Sequence, residues 1–163
     1  MKRSVPTIQY RRKRIQKTNY RKRLGLLKSD KNRLVIRKSN KYIIIQVVSY
    51  IPNGDKIIKS CNSKELIKLG WKFSCKNIPA AYLTGLLIAK AMKSEKNKEC
   101  IVDFGLQTPQ KGYNKLYAVV KGAIEAGLVI PADKSVFPTD EEILGRTEVV
   151  QKASAEVKKK ILG

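Results

Sequence analysis

The chain has 163 residues, enough for one domain with extensions, and carries 35 Lys and Arg against 13 Asp and Glu, a formal net charge of +22. An apolar share of 42% supports a packed core and excludes a purely disordered basic tail. His is absent, which excludes Ser-His and Cys-His catalysis and His-bearing zinc sites. Cys61, Cys75 and Cys100 form no CxxC pair, so neither a zinc ribbon nor a redox dithiol is supported, and their sparse, odd number suits a reducing cytosol. No apolar run approaches the ~20 residues of a membrane span. Met1-Lys2-Arg3 is not followed by the apolar stretch of a secretory signal.

Charge divides the chain into three parts. Residues 1–41 hold 16 basic residues and one acid, Asp30; residues 42–130 hold 13 basic and six acidic; residues 131–163 hold six of each. A charge this concentrated repels itself unless a polyanion or salt screens it. Residues 1–17 lack a clean apolar period and contain Arg11-Arg12-Lys13-Arg14, so they read as an extension that orders on a nucleic acid.

Residues 18–29 are expected to be helical, with Thr18 as the cap and Tyr20, Leu24 and Leu27 on one apolar face. The β-branched runs 33–39 and 42–50 predict two strands joined by a turn at Ser39-Asn40-Lys41. Pro52-Asn53-Gly54-Asp55 predicts a turn into a third strand, 56–60, completing an antiparallel meander whose middle strand is apolar on both faces. A short helix is expected from Ser63 to Gly70, and a longer one over 77–92 with Asn77 as cap and Pro79 in its first turn. Residues 99–104 read as a short buried strand and 112–126 as a helix stopped by Gly127. Pro131 and Pro138 mark an irregular stretch. Thr139-Asp-Glu-Glu then opens a capping-box-like helix over 139–161, interrupted or kinked at Gly145. The mixture predicts an α+β fold, an α/β sandwich with one small mixed sheet. It divides into a basic extension (1–17), a globular domain (18–130) and an irregular, then helical, C-terminal extension (131–163).

Few residues suggest catalysis. No GxxxxGK[ST] phosphate loop is present. Asp103 ends a strand and is the only candidate metal carboxylate, but no second acid is an evident neighbour, so a turn or capping role is favoured. The cysteines are expected to be buried, and Trp71 and Phe73 to wedge into the core rather than to stack on bases.

The conspicuous constellation is basic, with aromatics and amides interleaved. Lys2, Arg3, Arg11, Arg12, Lys13, Arg14, Lys17, Tyr20, Arg21, Lys22 and Arg23 fall in one stretch, and Arg33, Arg37, Lys38, Asn40 and Lys41 decorate the first hairpin. Thr108, Lys111, Tyr113 and Lys115 lie in or beside a polar loop entering a helix. Arg and Lys neutralise phosphates, and Tyr and Arg planes stack on unpaired bases. Any one of these lysines reads equally well as a solvated charge, but solubility alone does not call for the whole set.

Four stretches carry a resemblance: Thr18-Asn-Tyr-Arg-Lys-Arg-Leu-Gly-Leu-Leu-Lys-Ser29, Arg33-Leu-Val-Ile-Arg-Lys-Ser-Asn-Lys-Tyr42, Asn77-Ile-Pro-Ala-Ala-Tyr-Leu-Thr-Gly-Leu-Leu87, and Asp103-Phe-Gly-Leu106 with Lys121-Gly-Ala-Ile-Glu-Ala-Gly127. Together they resemble the large-subunit ribosomal protein L-eighteen family, archaeal and eukaryotic branch, over residues 8 to 149. The resemblance implies a small α/β sandwich that binds 5S ribosomal RNA in the central protuberance of the large subunit and helps attach it to the large ribosomal RNA. It implies ribosomal-protein neighbours, a cytoplasmic location on the ribosome, no catalysis and no cofactor. By position, Arg33 to Lys41 fall on the RNA-facing hairpin, Tyr20 to Arg23 on the preceding helix, and Thr108 to Lys115 on another RNA-facing edge. The chain departs from the family pattern at Phe104 and at Tyr113-Asn114, and residues beyond 150 carry no resemblance. Two other readings stay open: a general, non-ribosomal nucleic-acid-binding protein, and a metal-dependent nucleic-acid enzyme around Asp103.

Overall fold

The β-branched runs form the strands predicted for them. β1 (Asn32–Lys38), β2 (Ile43–Ile51) and β3 (Gly54–Asn62) build an antiparallel meander, and β4 (Cys100–Asp103) adds to the free side of β1 in parallel, giving the order β3-β2-β1-β4. The structure, a computed structural model, describes residues 7–95, 97–108 and 114–163. Among them are seven α-helices: α1 (Arg11–Arg14), α2 (Tyr20–Leu27), α3 (Glu65–Lys68), α4 (Ile78–Ala91), α5 (Lys115–Glu125), α6 (Asp140–Leu144) and α7 (Glu148–Leu162). Strands and helices thus form the expected α+β sandwich with a mixed sheet.

Side chains alternate across a strand. Leu34, Ile36, Ile43, Ile45 and Val47 are buried in the core with residues of α4 and α5. The opposite face carries Arg33, Val35 and Arg37. The middle strand is less enclosed than its composition suggests: Ile44, Gln46 and Ser49 are only half-buried. An apolar strand needs two covering layers to be dry on both faces, and α4 and α5 pack against only one face of this sheet.

α4 and α5 approach almost backbone to backbone. A Cβ at Gly85 would lie 2.2 Å from the Val119 carbonyl oxygen, and one at Gly122 would lie 2.3 Å from that of Tyr82. Both distances are far inside van der Waals contact, so the crossing requires glycine at these two positions. α4 starts where the sequence predicts: the Asn77 side chain accepts from the Ala80 N–H at 2.9 Å, and Pro79 sits in the first turn. α7 lies against α4, burying Ser154, Val157 and Ile161. Gly145, at φ 108°, ends α6, so the predicted C-terminal helix is two helices. Thr139 and Glu142 close a reciprocal capping box at the start of α6. Trp71 is buried and meets Phe73 edge-on at 5.4 Å, and all three cysteines are buried and free.

α2 differs from its prediction. Its cap is Asn19, whose side chain accepts from the Lys22 N–H at 3.0 Å, whereas Thr18 accepts from Arg12 Nε at 2.8 Å. No residue of α2 is buried, and Leu24 of its supposed apolar face is 57% exposed. Helical periodicity records a stripe but not whether a partner covers it.

Candidate nucleic-acid interface

Two basic concavities gather most of the described candidate residues. The first is a groove of about 230 Å³ on the face of the sheet opposite α4 and α5, walled in part by α1 and α2. Its floor includes Val35, Val48 and Ile57, and its walls carry Arg12, Lys17, Lys22, Arg23, Arg33 and Arg37 with two carboxylates, Asp55 and Asp103. α2 is positioned beside it by long polar ties rather than by apolar packing. Lys22 Nζ donates to the Gly105 carbonyl at 3.1 Å, and Arg23 Nη2 meets Asp55 Oδ2 at 2.8 Å.

Arg33 requires a correction. It was expected to face RNA from the hairpin, but it is 3% exposed and lies between Asp55 (Nη2–Oδ1 2.7 Å) and Asp103 (Nη1–Oδ2 3.3 Å). A buried charge must be paired, and two carboxylates converge on this one. Its guanidinium therefore ties the β2–β3 hairpin to β1 and β4, and through Asp55 to α2; it presents no charge to solvent. Burial pushes the Asp55 carboxyl up, but hydrogen bonds and charge from Arg33 and Arg23 outweigh that and hold it below 3.8. Asp103 spends its other oxygen on the Gly105 N–H, at 2.8 Å. This is the favoured turn-capping arrangement, and no group of three or more Cys, Asp or Glu residues that could hold a metal occurs among the described residues.

Most of the remaining cations stay open to solvent. Arg11, Arg12, Lys13 and Arg14 form α1 with all four side chains exposed. Lys17, Arg21, Arg37, Lys38 and Lys41 are exposed as well, as are Asn40 and Thr108. Tyr20, 36% exposed, stands 5.6 Å from the ring of Tyr10, which is 75% exposed. Two exposed, adjoining aromatic rings on a cationic segment suit stacking on unpaired bases.

The second concavity holds about 340 Å³ and is lined by Lys38, Ser39, Asn40, Lys76, Asn114 and Lys115. It joins the β1–β2 turn, the residue before the α4 cap, and the first residues of α5. Lys76 was not among the sequence-derived candidates; as a lone lysine before a capping Asn it carries no local signal. Burial, then the nearby charges of Lys76 and Lys38, lower the Lys115 pKa. Lys2, Arg3, Lys111 and Tyr113 lie outside the described residues.

Comparison with known proteins places the chain. The family described as "Ribosomal large subunit proteins 60S L5, and 50S L18" matches residues 6–99. The matched span takes in α2, the whole meander and α4. The large ribosomal subunit protein uL18 of Korarchaeum cryptofilum (strain OPF8) is 44% identical over 138 residues, which cover 85% of this chain and 70% of that protein. With the cations of the groove inside the matched region, the chain belongs to this family of large-subunit ribosomal proteins, RNA-binding structural constituents of the cytoplasmic ribosome that serve translation.

Proposed function

We propose that this ribosomal protein binds 5S rRNA and helps attach it to the large-subunit rRNA in the central protuberance, among neighbouring ribosomal proteins. The observation that carries the reading is the sheet face opposite α4 and α5, where Arg12, Lys17, Lys22, Arg23 and Arg37 line one groove. Phosphate neutralisation with counterion release supplies most of the affinity. Specificity comes from RNA shape and unpaired bases, because the A-form major groove is too narrow for side chains to read.

The work divides along the chain. Residues 18–130 hold 5S rRNA, with Arg37, Lys38 and Lys41 as anchors on the first hairpin. Residues 1–17 reach the large rRNA, and residues 131–163 support the body. The protein acts as a scaffold, with no catalytic step and no cofactor. Competition of 5S RNA against transfer RNA and duplex DNA, from ~50 to ~300 mM salt, tests the reading. A 5S preference that survives high salt supports it. Equal affinities that vanish together would leave a general nucleic-acid coat. Deleting residues 1–17 is expected to spare 5S binding and to impair capture of large-subunit rRNA by the 5S complex in a pull-down. A collapse of 5S binding would reverse the two assignments.

A further inference from the structure

The second concavity differs from the groove in its chemistry. The groove sets two carboxylates among its cations. The lining of the second concavity has no acid: three lysines, two amides and a hydroxyl. Lys38 comes from the end of β1, Lys76 from the approach to α4 and Lys115 from the first residue of α5, so three distant parts of the chain bring ammonium groups to one place. None of the three has a carboxylate within ion-pair distance among the described residues, although Lys31, Lys59, Lys121 and Lys158 elsewhere on the surface do. Lys76 and Lys115 are half-buried, so water screens their repulsion less than it would on an open surface. The Ser39 hydroxyl is already spent on the turn, donating to the Tyr42 carbonyl at 2.9 Å and accepting from its N–H at 3.0 Å. Among the described residues, the recognition groups of this lining are thus the three ammonium groups and the Asn40 amide, with no aromatic ring for a base.

We propose that Lys38, Lys76 and Lys115, with Asn40, form a phosphate cradle that takes two neighbouring phosphodiesters of a bent RNA strand, separate from the groove on the sheet. The inference rests on the RNA-binding reading above and adds Lys76 to it. Two phosphodiesters bring two negative charges to the three ammonium groups, so that each gains an anionic acceptor and their mutual repulsion falls when the strand arrives. A phosphodiester suits this lining better than a nucleobase, because three ammonium groups call for anionic acceptors. The occupant is therefore backbone, and the contact should be indifferent to base identity.

The test uses the full chain, Lys76→Gln, Lys115→Gln, the Lys38/Lys76/Lys115 triple Gln variant, and Lys152→Gln on the exposed side of α7 as a control. Each single change in the cradle is expected to weaken 5S RNA binding about threefold and to reduce the salt slope by about one, with the triple change costing ten-fold or more. Lys152→Gln should change neither. The unfolding midpoint of the cradle variants should be unchanged or higher, because repulsion is relieved. Trace acetylation, read by mass spectrometry, supplies an independent arm: 5S RNA, or pyrophosphate alone, should slow modification of Lys76 and Lys115. Unchanged affinity and slope in Lys76→Gln, with no protection by either ligand, overturns the cradle. If the wild type shows no 5S preference but pyrophosphate still protects both lysines, the cradle stands and the 5S assignment falls.

Discussion

The two ends of the chain solve opposite problems. Residues 7–41 place their cations almost entirely on the surface, and α2 has no buried residue. Residues 131–163 carry balanced charge, and their last helix buries Val157 and Ile161 against the body. The C-terminal helix is also tied by its polar groups: Lys158 lies 5.0 Å over the ring of Tyr82, and the Tyr82 hydroxyl donates to Glu125. One end therefore stabilises the fold, and the other leaves its charge to be neutralised by a partner. Arg33 crosses this division, being an N-terminal cation used internally.

Breaking Arg33 is expected to have the largest effect. Arg33→Met leaves Asp55 and Asp103 without their shared cation, and a broken buried pair costs about 3–5 kcal/mol. Urea unfolding at neutral pH measures the loss. The pairing also gives a pH signature. The folded Asp55 titrates below its ordinary value of 3.8, so its stabilisation is complete above that value. It drains away as pH falls through the lower folded value. The Arg33→Met protein should show a smaller acid-side loss, the part that Arg23 alone sustains, and an undiminished slope there would mean that Arg33 does not hold the carboxyl down.

Ile161→Ala comes next, with a loss of about 2–4 kcal/mol from an emptied core site. Its 5S affinity, measured well below the unfolding transition, should match the wild type. A weakened affinity would erase the distinction between the ends. Changing Arg37, Lys38 and Lys41 together to Ala should do the reverse: ten-fold or more loss of 5S binding, about 1.4 kcal/mol or more, with the unfolding midpoint intact. Lys158→Met should have the smallest effect, about 0.5–1 kcal/mol of stability from the lost ring contact and the half-exposed ion pair with Glu125, partly returned by the apolar side chain.

Local chemistry was legible in the sequence; long-range pairing was not. The strands, the Asn77 cap, the Thr139 capping box and the break at Gly145 follow from neighbouring residues, and each is where the pattern puts it. Arg33 shares a strand and a face with Arg37, so the local pattern does not mark it as buried, and its partner Asp103 lies 70 residues away. Lys76 escaped notice for the same reason, since only the fold carries it to Lys38 and Lys115. The apolar stripe of α2 was visible, but its exposure follows from the polar ties that hold the helix beside the groove. Family resemblance supplied the ribosomal assignment, which charge and periodicity alone left open among nucleic-acid partners.

The three thiols have a practical consequence. Burial pushes Cys61 and Cys100 up to about 11 and raises Cys75 as well, so each holds its proton and is a poor nucleophile at neutral pH. They are spread through the assembly, on β3, before the α4 cap and on β4. An alkylating dye therefore finds them only when the surrounding region opens, and labelling at each position becomes a stopwatch for the breathing of that part of the interior.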